Sequence, residues 1–176
     1  MRKFAWIPIL LLLCSTVQQR DSETDTVAVI QASYLYNIAK LVEWKDPDYR
    51  KGNFVIGIFS GSNVYHELVK KYQSKSIGSQ PIEIRKLSQP GDIGRCNILF
   101  VGRDMLHQIS EVYGLLDDTG TLVVTEYTDA LEDGSVINFM VVDNTLGYEL
   151  SLENASQHGL KVGSTLKQMA ETVVGE

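Results

Sequence analysis

The chain has 176 residues, which is the length of one ordinary domain, and 44% of them are apolar, which is enough to form a single hydrophobic core. Its 16 basic and 22 acidic side chains give a formal net charge of −6. An acidic surface repels phosphate backbones and anionic lipid, so this composition argues against nucleic acid as a partner.

The N-terminus has the layout of a secretory signal. Arg2 and Lys3 precede an apolar run over residues 4–13, which is too short to span a bilayer comfortably, and small and polar residues follow it. We therefore predict a signal peptide over residues 1–20 and one exported domain over residues 21–176.

The two cysteines limit how the fold can be stabilised. Removal of the signal leaves Cys96, alone or together with Cys14 if that residue is lipidated; Leu13 before Cys14 is bulkier than a typical lipidation site tolerates. Neither case gives an internal disulfide, so the fold must depend on its core. Cys96 stands at the start of an apolar run, where a buried thiol is the simplest interpretation and an intermolecular disulfide or redox role is the alternative.

Residues 22–44 have the pattern of an amphipathic helix that packs on a sheet. Ser22 or Thr24 can cap its start, and Trp44 is expected to mark its end. Seven apolar residues fall on or beside one stripe at helical spacing: Val27, Ile30, Tyr34, Leu35, Ile38, Leu41 and Val42.

Further along the chain, apolar strand patterns alternate with helical ones. The predicted strands are "NFVIGIFSG", "PIEIRKL", "CNILFVG" and "GTLVVTEY", and the predicted helices are "NVYHELVKKYQ" and "DMLHQISEVYGLL". Strands that alternate with helices need crossover connections, which give a mostly parallel sheet. The sequence therefore predicts an α/β fold, a single three-layer domain with helices on both faces of the sheet.

The last third of the chain has a different pattern. Two alternating runs in "SVINFMVVDNTLGYELS" meet at Asp143 and Asn144, which predicts an antiparallel hairpin at the sheet edge. A helical turn, "ENASQH", follows, with Gly159 as its left-handed C-cap. Ser164 is then expected to cap a closing helix, "TLKQMAETVV".

Four stretches match, in order, segments of one bacterial family. They are "YLYNIAKLVEW", "CNILFVG", "LEDGSVINFMVVDNTLGYEL" and the ending "YELSLENASQHGLKVGSTLKQMA". The ending resembles the pattern "FEIN…A…GL.iSs.LL.lA" of the YfiR-like periplasmic proteins, and the resemblance covers residues 29–173. Ser151 departs from the Asn that is usual in that pattern.

The resemblance implies a regulatory binding protein and not an enzyme. It implies that the protein represses an inner-membrane diguanylate cyclase, or restrains a sensor kinase, by binding its periplasmic sensor region, and so lowers cyclic-di-GMP output in the first case. It also implies that a homodimer can form and that no cofactor is needed. Disulfide control of folding is not implied, because this chain keeps one mature cysteine where the family's named member has two pairs.

Residues that could carry catalysis do not form a recognisable motif. His66, His107 and His158 lie on three predicted helices without metal-ligand spacing, and we predict no metal site. A hydrolase that uses Ser60 or Ser62 would need a base that the sequence does not supply, and Ser60 lacks the flanking glycines of a nucleophile elbow.

A second hypothesis is a small-molecule-binding module. Gly61, Ser62 and Asn63 open a helix at the carboxyl end of a predicted parallel strand, where N–H groups can contact a small anion or carboxylate; helix capping is the simpler interpretation. The acidic residues before the hairpin could hold a hard cation, although a solvated loop is the favoured interpretation. They are Asp117, Asp118, Glu126, Asp129, Glu132 and Asp133.

Two surfaces are predicted to contact a protein partner. The first is the face of the N-terminal helix that carries Tyr36, Lys40 and Trp44, since exposed rigid aromatics anchor interfaces. The second is the C-terminal unit around Glu149 and Lys161. The regulator and the small-molecule-binding module need not exclude each other.

Overall fold

The computed structural model describes residues 17–116 and 120–175, with side chains from residue 26 onward. Cys14, Asp117, Asp118 and most of the predicted signal peptide lie outside the described residues. Among the residues described, no helix is both long and apolar enough to cross a bilayer.

The described chain contains five α-helices and ten strands. The helices are α1 Val17–Ile38, α2 Ser62–Tyr72, α3 Ile109–Leu116, α4 Leu152–Gln157 and α5 Ser164–Gln168. The first five strands are β1 Val42–Trp44, β2 Phe54–Phe59, β3 Ser76–Ile77, β4 Gln80–Leu87 and β5 Ile98–Val101. The others are β6 Leu122–Thr125, β7 Ile137–Val142, β8 Thr145–Ser151, β9 Leu160–Val162 and β10 Thr172–Val174. Short 3-10 helices cover Pro47–Arg50, Pro90–Asp92 and Arg103–Gln108.

Eight strands form one mixed, mostly parallel sheet in the order β10-β8-β7-β6-β5-β2-β4-β3. The chain passes from β2 to β4 on one side and then returns to β5 on the other side of β2, so the strand order reverses between β2 and β5. The predicted α/β class and the predicted hairpin, β7 with β8, are confirmed. Strand β10 pairs in parallel with β8 and adds one strand beyond the hairpin.

The central strands bury both of their faces, which explains their uninterrupted apolar runs. On one face, residues such as Ile58 and Phe100 pack in a cluster with residues of α1, α2, α4 and α5. On the other face, Phe59 and Leu99 pack against Val112 of α3. Successive residues of β2 and β5 point to opposite faces of the sheet, and helices pack on both faces. This gives the three-layer arrangement.

The first helix differs from its prediction at both ends. It begins at Val17, upstream of both predicted caps, and ends at Ile38 instead of near Trp44. The following residues form β1, which pairs antiparallel with β9. Val42 and Trp44 are buried and Glu43 between them is exposed, so an alternation of period two replaces the helical one.

The buried stripe of α1 is also rotated from the predicted one. Ile30 is 38% exposed, whereas Ala28, Ala32 and Leu35 are at most 3% exposed. Small alanines let the helix approach the protein interior closely. Gln31 is buried as well, and its amide donates a hydrogen bond to the Glu126 carboxylate, which offsets the cost of burial. Tyr34, which lay on the predicted stripe, is half-buried.

The C-terminal unit is partly as predicted. Asp143 and Asn144 have φ of 48° and 63° at the hairpin turn, and Gly159 has φ of 64° after α4, as expected for left-handed positions. The closing helix is shorter than predicted, because α5 ends at Gln168 and the chain continues as β10. The N-cap of α5 is Gly163 and not Ser164; a Cβ on Gly163 would lie 2.8 Å from the Leu41 carbonyl oxygen.

Candidate functional site

Two crossover loops meet at the point where the strand order reverses. Ser60 and Gly61 follow β2 with φ of 66° and 77°. A Cβ on Gly61 would lie 2.9 Å from Cε1 of Phe100, and a Cβ on Gly102, after β5, would lie 3.2 Å from the Gly61 nitrogen. Glycine is therefore needed at Gly61 for its backbone conformation and for space. The close approach fixes the start of α2 beside the start of the Arg103–Gln108 helix.

The predicted ligand-binding residues line a cavity at this point. Gly61 is the N-cap of α2, and no side chain caps the helix there. Gly61, Ser62 and Asn63 form one side of a cavity of about 610 Å³, and an apolar wall includes Phe139 and Leu146. A cavity of this size lies within the range of about 300–1,000 Å³ that is usual for small-molecule sites.

A polar network around Glu126 holds the cavity wall together. The Glu126 carboxylate accepts hydrogen bonds from Nε2 of Gln31 at 2.7 Å and from the Arg103 backbone N–H at 3.1 Å. Nε of Arg103 donates in turn to the Glu126 carbonyl oxygen at 3.0 Å. These contacts tie α1, the end of β6 and the loop after β5 to one another, and they place the Arg103 guanidinium at the cavity.

The serine after β2 is hydrogen-bonded to a carboxylate and not to a histidine. The Ser60 hydroxyl donates to the Asp104 carboxylate. The His107 ring instead makes a hydrogen bond with the Gln108 amide, at 2.9 Å. No Ser–His pair that could activate a nucleophile occurs among the described residues whose contacts are given above.

A larger groove lies on the α3 side of the sheet. We call it the acidic groove; its volume is about 1,510 Å³, and residues 126–134, α3, α4 and strands β7, β8 and β10 contribute to its lining. Nδ2 of Asn138 donates to the Tyr127 carbonyl and to Oε1 of Glu149, each at 2.8 Å. These bonds connect the loop after β6 to the hairpin.

Two tyrosines and an aspartate form a chain of hydrogen bonds in the acidic groove. The hydroxyl groups of Tyr113 and Tyr127 lie 3.1 Å apart, and the Tyr127 hydroxyl donates to Asp133 at 3.0 Å. Burial raises the pKa of both tyrosines above the ordinary value. Both groups therefore stay neutral at physiological pH and act as hydrogen-bonding groups that hold the loop.

Comparison of the sequence with family models decides the family. The YfiR/HmsC-like model matches residues 28–171. The chain belongs to the YfiR/HmsC-like family. None of the curated proteins matches this member of the family.

A solved structure shows a similar fold. It is the ABC domain in complex with L-Trp from Streptococcus pneumonia, with a TM-score of 0.54 at 12% sequence identity. The match covers 84% of this YfiR/HmsC-like chain and 60% of the other, so the family member spans less than two thirds of that protein's length. At this identity the likeness concerns the fold alone.

The partner residues that were predicted on the N-terminal helix of this family member do not all lie on one surface. The Tyr36 ring stacks on Tyr72, with centroids 4.4 Å apart, and Nζ of Lys40 lies 4.4 Å from the Tyr36 centroid. Trp44 is 5% exposed, and its Nε1 donates to the Gly120 carbonyl at 2.8 Å. Trp44 therefore lies in the core, where its indole N–H is satisfied, and does not form part of an exposed surface.

The predicted partner residues of the C-terminal unit are separated from one another. Lys161 lies on β9 and forms an ion pair with Glu43 across the two-stranded sheet at 3.4 Å, and both side chains are exposed. Glu149 lies on β8 and lines the acidic groove. The structure thus brings Glu149 together with the acidic loop after β6 and not with Lys161.

The remaining residues considered as sites have structural surroundings. His66 and His107 are exposed, and His158 is the C-cap of α4. Within the described ranges, no group of three or more His, Cys, Asp or Glu side chains is placed to hold a metal ion. Cys96 is buried, as predicted, and burial raises the pKa of its thiol to about 11.

The acidic groove is the feature that sequence patterns missed. Glu126, Asp129, Glu132 and Asp133 were recognised as a cluster and interpreted as a solvated loop. The register of β6, β7 and β8 places this loop beside Glu149, because Asn138 pairs with both Thr125 and Glu149. The available signal was the polar Asn138 and Glu149 within otherwise apolar strands.

Proposed function

We propose that this YfiR/HmsC-like protein is a non-enzymatic periplasmic regulator that restrains an inner-membrane signalling protein, a diguanylate cyclase or a sensor kinase, by binding its periplasmic region. The observation that carries the proposal is the family match over residues 28–171, which is nearly the whole predicted domain.

The proposed mechanism is occupancy. The protein binds the periplasmic part of its partner and holds it in the low-output conformation, and loss of the protein releases the restraint. The restraint can be only as large as the difference between the affinities of the protein for the two partner conformations. No chemical step on a substrate is required.

Affinity capture of the exported protein from its own cell envelope, followed by mass spectrometry, tests this proposal. We expect an inner-membrane cyclase or kinase with a periplasmic sensor region to be recovered. Deletion of the gene should then raise the output of that enzyme, measured as cyclic-di-GMP or as phosphorylation. Recovery of no membrane signalling protein, or an unchanged output after deletion, would contradict the proposal.

The face of α1 that carries Tyr36 and Lys40 remains a proposed contact surface. Lys40 is exposed there, and Tyr36 is half-buried with Tyr72 stacked on its ring. The double substitution of Tyr36 and Lys40 by Ala should weaken capture without unfolding the protein. Lys51→Ala, at an exposed position outside α1, is a control that should leave capture unchanged.

A second function, small-molecule binding, is favoured by the cavity at the strand-order reversal. The start of α2 and Arg103 offer donors for a carboxylate, beside the acidic Asp104 and Glu126 of the same lining. Phe139 and Leu146 suit an apolar group. The similar fold described above belongs to a domain solved in complex with an amino acid, L-Trp.

Native mass spectrometry of the protein purified from its envelope tests the second function. We expect a bound small carboxylate, and a thermal shift when the identified compound is added back. Arg103→Gln should reduce the shift, and Lys51→Gln should not. This function would be contradicted if the measured mass equalled that of the protein alone and no small carboxylate in a panel produced a thermal shift.

A further inference from the structure

The α3 side of the sheet is covered over only part of its width. The apolar cluster on this side contains residues of α3 and of strands β2, β4, β5 and β6, and it contains no described residue of β7, β8 or β10. Thr125 pairs with Asn138, Asn138 with Glu149, and Glu149 with Thr172, so paired side chains continue the same face across these strands. Asn138, Met140, Glu149 and Ser151 of these strands line the acidic groove.

The dimensions of the acidic groove suit a segment of polypeptide. Its volume of about 1,510 Å³ exceeds the range of about 300–1,000 Å³ that is usual for small-molecule sites. Apolar side chains lie along it, including Leu106, Leu131, Met140 and the 41% exposed Val174. A segment seated there would bury apolar surface as well as meet charged groups.

The charge of the lining selects the chemistry of the occupant. Six acidic residues line the groove, against one arginine, Arg103, and one histidine, His158. Each ion pair found in the described chain lies elsewhere, so none of these carboxylates forms an ion pair with the side chain of a described Lys or Arg. The carboxylates are Glu126, Asp129, Glu132, Asp133, Glu149 and Glu153.

We propose that the acidic groove docks a basic, amphipathic segment of the partner's periplasmic region, in which Lys or Arg side chains alternate with apolar ones. The inference rests on the proposed regulatory function and names the chemistry of the partner contact. Cationic side chains would meet Glu132 and Glu153 at the rim, and apolar ones would contact Leu131 and Val174. Complementary charge of this kind steers association and fixes the orientation of the bound segment.

Titration with synthetic peptides tests the groove without the partner. The probes are a ten-residue peptide of alternating Lys and Leu and its counterpart of alternating Glu and Leu, each followed by isothermal calorimetry. We expect the basic peptide to bind and the acidic peptide not to bind. Hydrogen exchange should show protection by the basic peptide within residues 127–134 and 149–153, and not at Tyr36.

A matched pair of charge reversals separates the groove from net charge. Glu132 and Glu111 are both exposed, and Glu132 lines the groove whereas Glu111 lies on α3 outside it. Glu132→Lys should weaken the basic peptide about fivefold, as expected when an exposed ion pair is replaced by repulsion. Glu111→Lys makes the same change in net charge and should leave the affinity unchanged. Equal effects of the two variants would overturn the proposal.

Envelope capture distinguishes failure of this inference from failure of the proposed function. If Glu132→Lys captures the same membrane signalling protein as the wild type with equal yield, the groove is not the contact and the regulatory function stands. If the wild type captures no such protein, the regulatory function fails, and the peptide titration still decides whether the groove binds basic segments. Protection outside residues 127–134 and 149–153 would also overturn the groove assignment.

Discussion

At the scale of single residues, Gly61 lies at the point where the strand order reverses and also lines the cavity there. Its φ of 77° is unfavourable for any residue with a Cβ, and that Cβ would also lie 2.9 Å from the Phe100 ring. We expect Gly61→Ala to lower the free energy of unfolding by about 2–4 kcal/mol, measured by urea denaturation.

Gly52 provides a matched control for that substitution. It has a similar φ of 68°, but a Cβ there would meet no atom within 4 Å. Gly52→Ala should therefore cost only the backbone component, about 1 kcal/mol. If the two variants lose equal stability, the contact with Phe100 relaxes freely and contributes nothing.

A second prediction at the scale of single residues concerns Cys96 and the pH dependence of the free energy of unfolding. Burial raises the pKa of its thiol from 9.0 to about 11, so the unfolded thiol ionises at lower pH than the folded one. Below pH 9 the thiol is neutral in both the folded and the unfolded state. Between pH 9 and 11 its ionisation favours the unfolded state. The free energy of unfolding should thus fall with rising pH, by up to about 1.4 kcal/mol per pH unit.

Cys96→Ala isolates this contribution. The tyrosines with raised pKa values titrate in both proteins, so the difference between the two stability profiles reports the thiol alone. We expect the difference to be constant below pH 9 and to shrink toward pH 11. Parallel profiles over the whole range would contradict the prediction.

At the scale of elements, α4 holds the loop that borders the acidic groove. Nδ2 of Asn154 donates to the carbonyl oxygens of Leu131 and Ser135, at 2.8 and 2.7 Å. Asn154→Ala leaves both carbonyls without this donor and should lower the free energy of unfolding by about 1–3 kcal/mol. Amide exchange in residues 127–134 should become faster. Gln157→Ala, exposed on the same helix, should change neither quantity.

The long elements were predictable, whereas the three-residue strands were not. Strands such as β2 and β5 have uninterrupted apolar runs because both their faces are buried. Strands β1 and β9 have three residues each, too few for the sequence alone to distinguish a strand from a helix, and they pair residues as distant in sequence as Val42 and Val162. Their formation depends on tertiary contacts, which also end α1 before Trp44 and replace the last part of the closing helix by β10.

The candidate site could be predicted only in part from the sequence. Gly61 to Asn63 were identified because a helix that follows a parallel strand starts at the carboxyl edge of the sheet. Arg103 and Glu126 lie at the same cavity through strand order, which the sequence alone does not determine. The burial of Trp44 was likewise hidden, because it depends on a hydrogen bond to Gly120, 76 positions away.

At the scale of the whole molecule, the two sheets share one core. Trp44 of the two-stranded sheet meets the Phe54 ring edge-on, with centroids 5.1 Å apart, and donates to the Gly120 carbonyl. Phe54 begins β2 and Gly120 precedes β6, so both contacts join the small sheet to the large one. Val42, Trp44 and Leu160 belong to the same cluster as Ile56 and Phe100.

This shared core predicts a single cooperative unfolding transition. In a chain that starts at residue 21, Trp44 is the only tryptophan, because Trp6 lies within the predicted signal peptide. Its fluorescence therefore reports the junction of the two sheets, whereas far-UV circular dichroism reports the secondary structure as a whole. The two probes should give the same urea midpoint and slope. A fluorescence transition at lower urea would mean that the small sheet with Lys161 opens separately; partner binding there could then act without changing the acidic groove.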